Sequence, residues 1–217
     1  MKDFAARRRT MVDTQVRPSD VTKFPIIDAM LHVPRENFVP NSQREAAYAD
    51  AVIDMGNGRA MIEPRTLAKI LDALNISNDE MVLDIAPAMG YSTAVAARMA
   101  QLVVGVESDE ALAAEAQSLL AEADVDNAII HVGPLEQGVA EHGPYDVIMV
   151  QGGVEQIPAE LLDQLKEHGR IACLFVEGNL GTVRIGRKSG GQVSWRDAFN
   201  ASAPVLEGFS AECAFSL

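Results

Sequence analysis

The chain has 217 residues, of which 48% are hydrophobic and 23% charged, and its formal net charge is −13. Those proportions suit one globular domain with a sizeable core and exclude a disordered chain. No apolar run reaches the roughly 20 residues that span a bilayer, and so acidic a protein lacks the cationic surface that general nucleic-acid binding needs.

The charge is unevenly placed. Residues 1–45 hold eight Lys/Arg against six Asp/Glu, whereas residues 46–217 hold ten against twenty-five. The basic opening segment could dock on the acidic body or on a second copy of the chain, as a homodimer, or form a solvated face with no partner. Met1 to Arg9 carry basic residues with no apolar stretch behind them, which does not read as a secretory leader. Cys173 and Cys213 lie far apart and read as thiols of a reduced compartment, so a cytoplasmic location is expected.

In chain order, residues 3–16 alternate at helical spacing until Arg17-Pro18 stops them. Ser19 or Asp20 can cap a second helix through Met30-Leu31, ending before Pro34. Pro34 to Gly58 reads as a long irregular connection. Pro64 opens a helix with Leu67, Ile70, Leu71 and Leu74 on one face. From residue 81, five short apolar runs (81–85, 102–106, 128–132, 147–150 and 171–175) alternate with helices at Ser92–Ala100, after Ser108 or Asp109 to Ala121, and at Pro158–Leu165. That alternation predicts an α/β fold with a doubly wound, mostly parallel sheet covered on both faces. Thr182–Lys188 and Gln192–Phe199 around Gly190-Gly191 predict an antiparallel hairpin, and Ala211–Phe215 could form a last strand. The domain boundaries expected are a helical extension at 1–50, a ligand-binding core at 60–178 and antiparallel strands at 179–217.

Open α/β sheets bind ligands beyond the carboxyl ends of their strands. The first strand of the core ends at Asp84-Ile85, before the turn Ala86-Pro87-Ala88-Met89-Gly90. The second ends at Glu107, 23 residues beyond Asp84, where a carboxylate can accept both hydroxyls of a ribose. Glu107 could equally serve only the N-terminus of the following helix. With one glycine, the turn leaves less room for a ligand than glycine-rich loops do. His32, His131, His142 and His168 are scattered with no partner at ligand spacing, so no metal is expected. Cys173 reads as an inert strand residue and Trp195 as a core or edge residue.

The sequence resembles the protein-L-isoaspartate (D-aspartate) O-methyltransferases over nearly its whole length. The resemblance rests on Pro34-Arg35-Glu36-Asn37-Phe38-Val39-Pro40, Ala47-Tyr48-Ala49-Asp50, Gly56-Asn57-Gly58 and Glu63-Pro64. It continues through Val82 to Ile85, Gly90-Tyr91, Glu107, Tyr145 to Ile148, Ile157-Pro158 and Gly169-Arg170. It implies a Rossmann-like methyltransferase fold with N-terminal helices and a C-terminal antiparallel hairpin. The implied activity is methyl transfer from S-adenosylmethionine to L-isoaspartyl or D-aspartyl residues of damaged proteins, a repair reaction on peptide or protein substrates. Asp84, Ala86, Gly90, Glu107 and Gln151 are the implied cofactor residues, and Arg59, Met61, Ile62 and Glu63 the implied substrate residues.

Four places depart from the family pattern. Where the family reads Gln-Thr-Ile-Ser-Gln-Pro, this chain has Arg59-Ala60-Met61-Ile62-Glu63-Pro64, with Ile62 at the serine. The glycine-rich loop is Ala86 to Gly90, the Gly-Asp pair is Gly133-Pro134, and Thr-Ala-Ala is Gln151-Gly152-Gly153. No catalytic side chain can be assigned. A carboxylate acceptor is already ionised near neutral pH, so transfer needs alignment and hydrogen-bond donors rather than a general base. Arg59 is the expected donor; Ile62 has none. The alternatives are a catalytically degenerate binding or interaction module with the same fold, or a methyltransferase for another acceptor.

Overall fold

The computed structural model describes residues 3–211. Helix α1 (Phe4–Met11) is capped by Asp3, whose Oδ1 accepts from Ala6 N at 2.9 Å. It runs on through a widened turn at Val12–Val16 and a 3-10 turn at Arg17–Ser19, stopping where Arg17-Pro18 foretells. Helix α2 (Phe24–His32) corrects the expected start. Its cap is Lys23, with Pro25 in the first turn, because Asp20 closes the preceding turn in a left-handed conformation and cannot also open a helix.

The stretch after Pro34 is less irregular than expected. It holds 3-10 turns at Arg35–Asn37 and Asn41–Ala46 and ends in a hairpin of β1 (Ile53–Gly56) and β2 (Arg59–Met61). Its turn is Asn57-Gly58, both at positive φ, a pairing that favours tight hairpins. Helix α3 (Pro64–Leu74) follows as expected.

The core then alternates β3 (Met81–Ile85), α4 (Tyr91–Ala97), β4 (Leu102–Glu107), α5 (Glu110–Glu122), β5 (Ala128–Val132), β6 (Tyr145–Val154), α6 (Ala159–Asp163), β7 (Leu165–Glu177), β8 (Leu180–Ser189) and β9 (Gln192–Asn200). Asp109, rather than Ser108, caps α5 through Ala111 N and Leu112 N. Helix α6 is shorter than expected, while β6 and β7 are longer. The seven-stranded sheet has the order β5-β4-β3-β6-β7-β8-β9. Its first five strands are parallel and the β8–β9 hairpin adds an antiparallel edge. Winding reverses at β3, which lies between β4 and β6. The expected strand at Ala211–Phe215 falls outside the described residues beyond Ala211, which is not in a strand, as does Cys213.

Alternate strand residues point to opposite faces. Val82, Val103, Val147 and Ala172 join one core, which also contains Met11, Val16, Ile27, Leu67 and Val95. Leu83, Val104, Ile148 and Ile171 join the other, with Leu206 and Phe209. The basic opening segment therefore folds back on its own body. Arg8 reaches Tyr48 Oη at 2.9 Å and Glu36 at 3.2 Å. Among the described residues, no helix is long and apolar enough to cross a membrane.

Candidate active site

The turn after β3 holds Ala86, Ala88 and Gly90 at positive φ. A Cβ is disfavoured in that conformation, yet two of the three positions carry one. Gly90 opens α4, and a Cβ there would meet Ala116 Cβ at 3.3 Å.

Asp84 is fully buried at the end of β3. One oxygen accepts from Ser92 Oγ at 2.6 Å and Thr93 Oγ1 at 2.7 Å, and the other from Gln151 Nε2 at 2.7 Å. Burial pushes its carboxyl up to about 6, with Glu107 acting the same way and the three donors acting against it. Gln151 thus reaches the same centre as Asp84, from β6.

Glu107, at the tip of β4, is also fully buried. Its Oε1 accepts from Arg59 Nε at 2.9 Å, Ser108 N at 2.8 Å and Asp109 N at 3.1 Å, and its Oε2 from Ala88 N at 3.2 Å. Arg59 is 3% exposed and also donates from Nη2 to Ser108 Oγ at 2.6 Å. The expected substrate donor, Arg59, and the expected sugar acceptor, Glu107, are therefore partners of each other. Asn57 Nδ2 adds a 2.6 Å bond to Asp109, tying the β1–β2 hairpin down over the strand tip.

The other members of the 59–64 segment sit as follows. Met61 and Ile62 are buried, and Glu63 opens α3, holding Thr66 Oγ1 at 2.9 Å. Ile62 offers only its carbonyl, which accepts from Arg35 Nη2 at 2.8 Å. Arg35 was read from sequence only as part of a family string. It is fully buried, donates to Ala47 O at 2.7 Å and stacks its guanidinium 4.8 Å from the Tyr91 ring. Burial draws its basicity down. Among the described residues, Arg35 Nη1 and Tyr91 Oη are buried with no hydrogen-bond partner. A buried arginine in a short 3-10 turn carries no periodic signal in sequence, so only packing reveals it.

Space is unequal along the crevice. Between Arg35, Ile62, Pro87, Tyr91, Ser92 and Gln151 the cavity measures about 10 Å³, barely one water. Beyond Ser108, against Gly133, Leu135 and Glu207, a surface cleft of about 600 Å³ opens. The Gln151-Gly152-Gly153 end is covered by the returning 203–209 segment. Leu206 N donates to Gly153 O at 2.9 Å, and a Cβ on Gly152 would lie 2.5 Å from Leu206 Cγ.

Two histidines correct the expectation of scatter. His131 Nδ1 and His142 Nε2 lie 3.6 and 3.7 Å from Glu141 Oε1, because β5 and the turn at Ala140–His142 are neighbours. Trp195 packs edge-on to Phe175 at 5.0 Å, as an edge residue, and Cys173 is buried with burial raising its thiol.

A doubly wound sheet with buried acids at the tips of its two central strands defines a Rossmann-like methyltransferase fold. The family model for protein-L-isoaspartate(D-aspartate) O-methyltransferase matches residues 6–201, and the chain belongs to that family. It is 36% identical over 169 residues to a protein-L-isoaspartate O-methyltransferase of Roseiflexus castenholzii, covering 78% of this chain and 77% of that one. A relative of the same name from Syntrophus aciditrophicus is 35% identical over 171 residues, covering 79% and 78%. A solved protein-L-isoaspartate O-methyltransferase superposes with a TM-score of 0.81 at 26% identity, over 93% of this chain and 66% of the other. A Plasmodium falciparum structure, described as a complex with S-adenosyl-L-homocysteine, shares the fold with a TM-score of 0.80 at 19% identity, over 95% and 99%.

The family uses S-adenosylmethionine. In this closed arrangement Glu107 accepts four hydrogen bonds from within, and the cavity beside Tyr91 and Gln151 is about 10 Å³, whereas the cleft beyond Ser108 is about 600 Å³.

Proposed function

We propose that this chain is a carboxyl methyltransferase of the isoaspartyl repair type, S-adenosylmethionine-dependent, whose resting site is closed by its own hairpin. The observation that carries this reading is the family match over residues 6–201, joined to the acids at the tips of β3 and β4. Glu107 is the acceptor for a sugar diol, Asp84, Ala86, Gly90 and Gln151 surround the methionine part, and Arg59, Met61, Ile62 and Glu63 face the peptide once the hairpin lifts. The substrate class is a peptide or protein carrying L-isoaspartyl or D-aspartyl sites.

The acceptor carboxylate is ionised near neutral pH, so no side chain has to take a proton from it. What this chain supplies is alignment, exclusion of water and backbone donors. Ile62 adds none, and an unpaired buried carboxylate is costly. Glu63, negative itself, repels the acceptor. Both features predict a slow enzyme.

The test is transfer of a labelled methyl group to an isoaspartyl peptide and to its ordinary aspartyl counterpart. Base-labile label on the isoaspartyl peptide alone supports the reading; label on neither peptide overturns it. A second reading, a degenerate module that binds or docks without transfer, is favoured by the four internal hydrogen bonds on Glu107 together with Ile62 at the serine position.

A further inference from the structure

We infer that Arg59 is a built-in competitor for the sugar seat, so that its guanidinium, rather than the loss of the glycine-rich loop, sets how well this chain takes an adenosyl ligand. The inference rests on the function proposed above and deepens it.

A carboxylate offers about four lone-pair sites over its two oxygens. Oε1 of Glu107 already has three donors and Oε2 has one. The backbone donors from Ala88, Ser108 and Asp109 belong to the turn and to the start of α5, and stay whatever the hairpin does. Arg59 is the one donor that comes from outside the sheet, on β2, and it covers the acid until none of it is exposed. A diol would need Oε2's remaining site and the space over the carboxylate that Arg59 now fills. Both cannot be satisfied at once.

The guanidinium is well matched to that seat, since its planar fork gives one arm to Glu107 Oε1 and another to Ser108 Oγ at 2.6 Å. A neutral amide of shorter reach, the glutamine that the family pattern has at this position, lacks the charge that makes the contact strong. The hairpin adds a second fastening through Asn57 and Asp109. Among the described residues no other hairpin side chain hydrogen-bonds Glu107, so competition for the acid itself is concentrated in Arg59.

The experiment is isothermal titration of S-adenosylhomocysteine into the full chain, as wild type, R59Q, R59K and N57A, with thermal melts to show that each variant folds. R59Q is expected to bind at least tenfold tighter than wild type, and N57A a few-fold tighter, because it loosens the hairpin without touching the charge. R59K, which keeps a cation, is expected to stay near wild type. Equal affinity of wild type and R59Q overturns the inference while leaving the proposed function standing. No binding by any folded variant at millimolar ligand overturns both. If R59Q does not fold, N57A decides the matter alone: an affinity no better than wild type overturns the inference.

Discussion

Asp84 shows at the scale of one residue how a fold makes a charge uncomfortable. Its carboxyl is raised to about 6 from the ordinary 3.8, so the folded state holds its proton over a range where the unfolded chain has released it. Stability contributed by this group is then greatest below about pH 4 and falls as pH rises to about 6, by something of the order of 2–3 kcal/mol. Subtracting the stability of an Asp84→Asn variant from wild type at each pH should give a difference that declines over that window and is flat above it. A rising difference would mean that the donors from Ser92, Thr93 and Gln151 outweigh burial. Ile62 poses the opposite trade. Serine at 62 would supply a hydroxyl to an acceptor carboxylate, and a hydrogen bond to a charged group is worth about 1.5–3 kcal/mol, felt as roughly ten- to a hundredfold in kcat/KM through a lower KM rather than a higher kcat. It would also remove a side chain that is 4% exposed, costing at least about 1.5–3 kcal/mol of stability. Methyl-transfer kinetics and a denaturant titration of Ile62→Ser should show both changes together.

Elements meet closely where β6 passes under the returning segment. Gly153 takes a hydrogen bond from Leu206 and gives one to Pro204 at 2.7 Å, and a Cβ there would lie 2.8 Å from Val176 Cγ2 and 3.0 Å from two backbone carbonyls. Backbone cannot move aside as a flexible side chain can, so Gly153→Ala should cost about 1–3 kcal/mol and loosen residues 203–209. Hydrogen exchange would register it as earlier loss of protection at Leu206 and Phe209 N–H than in wild type. The β1–β2 hairpin is the contrasting element. It is a two-stranded sheet of its own, and such ribbons are marginal unless something holds them. Here Arg59 and Asn57 do part of the holding, and the buried Ile53, Met55 and Met61 do the rest.

Over the whole molecule, the N-terminal helices are part of the fold rather than an arm awaiting a partner. Met11 is 1% exposed within the core that also holds Leu67 and Val95, so Met11→Ala should destabilise the entire chain by about 2–5 kcal/mol. A single cooperative transition at a lower denaturant midpoint is expected; a separate early transition of the helices would show that they are an independent unit. The ion pairs of this segment do less. Arg7–Glu45 and Arg17–Asp13 are half-exposed, and such pairs contribute well under about 1 kcal/mol each.

The α/β alternation, the reversal of winding, the antiparallel edge and the acids at the two strand tips were legible in the residues, because continuous apolar runs and their turn residues act locally. The β1–β2 hairpin around Asn57-Gly58 was not, because its strands are only four and three residues long inside a stretch that reads as irregular. What no local pattern contains is which distant side chains meet. Arg59 and Glu107 lie 48 residues apart, and Glu141 draws His131 and His142 together from separate elements. Sequence by itself determined the sheet and the family. Only the tertiary structure decided that the crevice is filled from within, since a buried charge takes whichever opposite charge the packing brings to it.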